Sequence, residues 1–157
     1  MALFDSSREV AWRRLWDATL LSGEFDAILT REPRLRGVSQ RGGLAAWQAK
    51  RALQYIEENL GAKLARRDVA NCVALSESHF SRAFKQSLGS SLFAYLAVRR
   101  VERAKLMMIS TQLRLTDIAL ACGFSDQSHL TRSFRRKVGM SPGRWRRYTL
   151  IRHPIPP

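Results

Sequence analysis

The chain has 157 residues, 45% hydrophobic and 25% charged, which is enough to bury a core and excludes a globally disordered chain. Its formal net charge of +14 points to a polyanionic partner, either nucleic acid or an anionic membrane surface. No apolar run reaches the roughly eighteen residues of a membrane span, no leader opens the chain, and no zinc spacing, phosphate-cradling glycine loop or nucleophile with an evident base occurs. The residues therefore call for no enzyme activity, no cofactor and no metal.

The charge is concentrated. Residues 44–147 hold 19 Lys and Arg against 7 Asp and Glu, whereas residues 1–43 hold 7 against 6. That first segment starts with a capping-box pattern, Ser6-Ser7-Arg8-Glu9. Val10, Ala11, Leu15 and Ala18 follow at helical spacing up to Ser22-Gly23. A shorter helix is expected over 24–30, stopped by Pro33, and then a linker with Gly37, Gly42 and Gly43. The segment reads as a helical extension. Trp12, Trp16 and Phe25 keep a small dimerisation or partner-binding element open.

A long helix is expected over 44–60, with a buried stripe of Leu44, Trp47, Ala52, Leu53, Ile56 and Leu60, closed by Gly61. A short helix over 65–73, a tight turn at Ala74-Leu75 and a helix over 77–87 capped by Ser76 and ended by Gly89 come next. A third long helix spans 91–109. The pattern then returns. Thr116 is expected to cap a short helix, Gly123 to make the turn, and Ser125 to cap a helix that ends at Val138-Gly139. Ser141-Pro142 opens a last short helix, and residues 148–157 read as an extended tail. No strand pattern is present, so the fold class is all-α.

The return is nearly literal. "SESHFSRAFKQSLG" at 76–89 becomes "SDQSHLTRSFRRKVG" at 125–139. At an offset of 49, Asp68 meets Asp117, Ala70 meets Ala119 and Ser76 meets Ser125; after one inserted residue, Arg82 meets Arg132 and Phe84 meets Phe134. Cys72 and Cys122 sit at similar places and read as buried thiols, not a disulfide; the matched His79 and His129 suggest a shared structural role. Two copies are too few for a solenoid. Each copy is a short helix, a tight turn and a capped helix, that is, a helix-turn-helix, over about 65–87 and 115–138.

The second helix of each unit has two faces. Phe80, Ala83, Phe84 and Leu88 fall on one side in the first copy, and Leu130, Ser133, Phe134 and Val138 in the second. Opposite lie Ser78, Ser81, Arg82 and Lys85 in the first, and Gln127, Ser128, Thr131, Arg132 and Arg135 in the second. Hydroxyl, amide and guanidinium groups at that spacing suit base edges and phosphates in a major groove. Ser78, Ser81, Arg82, Gln127, Ser128, Thr131 and Arg132 are the expected base readers. Lys85, Arg135 and the helix starts at Ser76, Thr116, Ser125 and Ser141 are the expected phosphate contacts.

These residues resemble the DNA-binding domain of the AraC/XylS-type transcriptional regulators. The resemblance covers about residues 44–147, and rests on Ile118-Ala119, Gly123-Phe124, Phe134, Gly139 and Ser141-Pro142. It implies two helix-turn-helix lobes joined by a linker helix over about 91–109, double-stranded DNA as ligand, and a role in transcription in the bacterial cytosol, with RNA polymerase as the expected protein partner. A linker of that length spans about 28 Å, comparable to one DNA turn of about 34 Å, so one monomer, or a weak dimer, reads two successive grooves. Members of the family carry a sensing domain ahead of this region. Only 43 residues precede it here, so no small-molecule site is expected. A non-specific basic nucleic-acid-binding protein shares the charge but has no need of two registered units. A membrane-surface protein needs an apolar face that packing does not account for. A fused repair enzyme needs a reactive cysteine in a separate lobe.

Overall fold

The structure is a computed structural model and describes residues 42–152. The two expected N-terminal helices, the linker up to residue 41, and Trp12, Trp16 and Phe25 lie outside the described residues. Seven helices follow one another, and no strand occurs among the described residues: α1 (Ala46–Glu58), α2 (Arg66–Cys72), α3 (Glu77–Leu88), α4 (Leu92–Ser110), α5 (Leu115–Ala121), α6 (Gln127–Val138) and α7 (Pro142–Arg152).

Local chemistry explains most of the boundaries. Ser76, Ser91 and Ser141 accept hydrogen bonds from the amides three residues on, starting α3, α4 and α7. The α1 and α2 starts lack a capping hydroxyl. There the side chains of Gln48 and Asp68 reach back to the amides of Ala45 and Ala65. Gly89 and Gly139 end α3 and α6 in the left-handed conformation, donating to Lys85 and Arg135 carbonyls.

The helices form two lobes that share α4. In the first, α1, α2 and α3 close around Ala52, Ile56, Val69, Phe80 and Phe84, together with Tyr95 and Leu96 from the start of α4. The Phe84 ring lies 5.2 Å from Phe80 and 5.9 Å edge-on from Tyr95. Leu44 donates to Ser87 Oγ and Gln48 to the Val73 carbonyl, tying α1 to the motif it covers. In the second lobe the later part of α4 buries Val101, Ala104, Met107 and Met108, and α5 and α6 supply Ile118, Leu130 and Phe134. Trp145 of α7 meets Phe134 at 5.8 Å.

Four expectations about this frame need correction. Trp47 is 59% exposed. The buried stripe of α1 is Ala49, Ala52 and Ile56, and Trp47 stands two residues, about 200°, from Ala49 on the wheel. Leu44 and Leu60 are buried but flank the helix. The helix also ends before Gly61, at Asn59, whose side-chain amide donates to the Tyr55 carbonyl. At the other end, residues 148–152 are helical instead of extended, because no Gly or Pro interrupts residues 144–152. Finally, Cys72 is only half-buried, whereas Cys122 is buried, its thiol pushed up to about 12 by desolvation; both are free thiols.

Candidate nucleic-acid interface

Each lobe presents one helix-turn-helix, α2–α3 and α5–α6. The turns superpose in chemistry. Leu75 N–H bonds the Ala70 carbonyl, and Phe124 N–H bonds the Ala119 carbonyl, at the same offset of 49. Both turns pass through a left-handed residue, Ala74 at φ 55° and Gly123 at φ 79°.

The helix starts match at an offset of 50, which relocates the inserted residue. Ser76 corresponds to Asp126, not Ser125. The Asp126 carboxylate accepts from His129 N–H at 2.7 Å and is the cap of α6. Ser125 is the inserted residue; its hydroxyl donates to Asp126 and meets His129 Nδ1 at 3.2 Å. The backbone bond from His129, then the Ser125 hydroxyl, hold the Asp126 carboxyl below its usual range. The positive end of α6 therefore already has its anion. Thr116 is likewise not a cap. Arg114 precedes α5, with no side-chain cap, and Thr116 is exposed in the first turn. The two histidines diverge as well: His129 packs edge-on against Phe124 at 5.2 Å, while His79 is exposed.

The inward faces are as expected at Phe80, Ala83, Phe84, Leu88, Leu130 and Phe134, all buried, with Ser133 and Val138 partly so. Outward, Ser78, Arg82 and Lys85 of α3 and Gln127, Ser128, Arg132 and Arg135 of α6 are exposed. Ser81 and Thr131 are half-buried at the edges, and the Ser81 hydroxyl donates to the Glu77 carbonyl. That bond occupies the Ser81 proton but leaves its lone pairs available to a donor.

Several cations are spent within the fold. Arg99 pairs with Glu57 at 2.7 Å, Lys105 with Glu102 at 2.9 Å and Arg114 with Asp117 at 3.0 Å. Arg146 spends its guanidinium on the Leu113 and Thr111 carbonyls, fixing the loop before α5. Arg100 spends its own on the Leu60 and Ala62 carbonyls. Arg82, Lys85, Arg132 and Arg135 make no hydrogen bond or salt bridge among the described residues, although Arg132 acts electrostatically on the Asp126 carboxylate. Beyond the expected contacts, Arg136 and Lys137 extend the exposed basic end of α6, and Arg144 and Arg147 are exposed on α7 with the half-buried Arg146 between them. In the sequence, the run of basic residues at 135–137 is their one visible signal. Among the described residues there is no metal-binding cluster, and no helix is long and apolar enough to cross a membrane.

Known proteins share this arrangement. A family model described as a helix-turn-helix domain matches residues 69–148. The arabinose operon regulatory protein of Escherichia coli K12 is 32% identical over 100 residues, covering 63% of this chain and 34% of that protein. The transcriptional activator RhaR of Klebsiella pneumoniae is 34% identical over 106 residues, 65% of this chain and 38% of its own. The chain thus spans little more than a third of these relatives. Among solved structures, the DNA-binding domain of AdpA, a global transcriptional factor crystallised with a target DNA, matches with a TM-score of 0.65 and 26% identity, covering 69% of this chain and 97% of that one. An AraC-type regulator from Chromobacterium violaceum matches at 0.62 and 29%, covering 69% and 95%. On its motif, its two-lobed fold and these likenesses, the chain belongs to the AraC/XylS-type helix-turn-helix family.

Proposed function

We propose that this protein is a sequence-specific, DNA-binding regulator of transcription that reads two successive major grooves with one chain. The observation that carries the reading is the pair of outward faces on α3 and α6. They are matched in register, their cations are exposed and make no hydrogen bond or salt bridge within the described residues, and they are mounted on a single 19-residue helix. A helix of that length is about 28 Å long, close to the repeat at which the duplex presents its major groove again on the same side.

Arg82 and Arg132 are the guanine readers, since a guanidinium fork matches the O6 and N7 acceptors. Gln127, Ser128 and Thr131, with Ser78 and Ser81, read the flanking bases. Lys85, Arg135 and the starts of α3 and α7 at Ser76 and Ser141 hold phosphates. Thr116 and Ser125 are weaker phosphate candidates, since neither caps a helix and Ser125 stands beside a carboxylate. The work is done in the cytoplasm, where the DNA is. The activator name of the RhaR relatives supports activation, and RNA polymerase is the protein partner that such a role would call for.

Selection of bound sequences from random DNA, at stated salt, tests this. The expected motif has two informative blocks centred about 10 base pairs apart, and specific binding exceeds binding to random DNA by about a thousandfold or more. Equal affinity for all sequences would leave only a basic nucleic-acid-binding protein. A footprint of residues 44–157 that covers one groove would reassign the second head to a partner subunit.

A further inference from the structure

A groove of about 610 Å³ opens between the lobes, lined in part by Phe93, Leu120, Phe124 and His129. Beside it the lobes touch along a seam made almost wholly of backbone. On one side is the loop after α1, residues 60–62; on the other is the turn of the second motif, residues 121–123. Arg100, halfway along α4, stands between them. Its Nε donates to the Leu60 carbonyl at 2.9 Å and its Nη2 to the Ala62 carbonyl at 2.8 Å.

The seam has no room for side chains. A β-carbon at Gly123 would overlap the Leu60 carbonyl oxygen and lie 2.8 Å from the Arg100 Cζ. A β-carbon at Gly61 would lie 2.8 Å from the Ala121 carbonyl oxygen. So the turn that orients α6 rests directly on the carbonyl that Arg100 holds in place. Burial is the main influence on the Arg100 guanidinium, lowering its pKa, and carbonyl oxygens satisfy its donors. A lysine ammonium also has several donors, but on one nitrogen, so it would not reproduce the fixed fork that holds these two carbonyls apart.

We infer that Arg100 is a positioning residue that fixes the pitch of α6 relative to α3, so that the seam, and not the reading faces alone, sets the half-site spacing the protein accepts. This rests on the two-groove reading above. A free hinge at the middle of α4 would tolerate operators of several spacings; a seam locked by Arg100, Gly61 and Gly123 tolerates one. Arg100 itself lies in the junction and takes no part in base or phosphate contact.

The test uses the full chain and the operator obtained by selection, remade with one or two base pairs inserted between its blocks and with each block scrambled in turn. One inserted pair shifts a block about 3.4 Å and turns it about 35°. Wild type should lose about tenfold or more in affinity on that insertion, a cost of about 1.4 kcal/mol. Arg100→Met should bind the parent operator more weakly, yet lose little further on insertion, while its affinity for operators with a single intact block stays at the wild-type value. Gly61→Ala wedges the seam without removing any hydrogen-bonding group and should act the same way. It is the second arm should Arg100→Met unfold, with circular dichroism reporting the fold of each.

A folded variant with the wild-type insertion penalty overturns the proposal, as does a wild type indifferent to insertion. A loss by Arg100→Met on single-block operators would make Arg100 a DNA contact instead, and overturns it too. If scrambling one block costs wild type nothing, the two-groove reading has failed, which the insertion series alone would not show.

Discussion

The two lobes are built to one plan and differ where they meet DNA and each other. From residue 44 to Ser91 the chain carries 7 Lys and Arg against 4 Asp and Glu; from Thr111 to Arg152 it carries 9 against 2. The first lobe's turn runs through Ala74, whose left-handed φ of 55° is strained for an L-residue; the second's runs through Gly123, which the seam requires to be bare. The first reading helix is capped by a neutral serine, the second by a carboxylate. The lesson is that duplicated motifs need only their buried face in common. The core fixes Phe84 and Phe134 to the same position, and everything facing outward is free to diverge toward its own groove and its own neighbours.

The largest effect should come from what the lobes share. Phe84→Ala and Phe134→Ala each remove a fully buried ring and should cost about 3–5 kcal/mol in chemical denaturation. A loss below about 1 kcal/mol at either site would mean that the lobe repacks around another residue.

Next comes the pair of turns. Gly123→Ala should destabilise the protein by about 2 kcal/mol or more, combining left-handed strain with overlap at the Leu60 carbonyl. Ala74→Gly removes the strain but loosens the unfolded chain, so thermal melting should register less than about 1 kcal/mol in either direction. Equal losses from the two changes would contradict the asymmetry of the turns.

On DNA, Arg132→Ala should lose about 1–3 kcal/mol on the selected operator and relax preference at particular base pairs of one block, with Arg82→Ala doing so in the other. Arg136→Ala or Lys137→Ala should weaken all sequences alike and lower the salt slope by about one ion each. An Arg132 loss that is identical on random DNA would reduce it to a phosphate contact.

A last comparison separates the caps. Ser76→Ala should cost about 0.5–2 kcal/mol at any pH. The contribution of Asp126 depends on its charge. Its folded pKa lies below the unfolded value, so the stabilisation is present above the unfolded pKa of about 3.9 and is lost as pH falls through the lower folded value. Asp126→Asn should therefore lower stability at pH 7, where the charged cap is present, with the difference from wild type closing as pH falls toward 2, so that the acid limb flattens in melting measured between pH 2 and 7. An unchanged acid limb would deny the carboxylate that role.

Much of the fold could be read from local chemistry. Serines at 76, 91 and 141 start helices, glycines at 89 and 139 end them, and Pro142 takes the first helical position, because a cap needs only the residues within one turn of it. The two-faced pattern of α3 and α6 placed Phe80, Phe84, Leu130 and Phe134 inside and the candidate readers outside, because burial and helical periodicity act on the same few residues. Adjacent capable residues were harder to rank. Ser125 and Asp126 can both cap, and only the register of α6 on its lobe selects the aspartate. Trp47 shows the same limit. Its neighbours allow two stripes on α1, and close approach to α2 favours the one lined by alanines. What the sequence could not disclose at all is which of its many cations are spent. Arg99, Arg100 and Arg146 look no different in a string of letters from Arg82 and Arg132. Their partners, Glu57, the carbonyls at 60 and 62 and those at 111 and 113, lie roughly 33 to 42 positions away, and only the folded chain brings them within hydrogen-bonding reach.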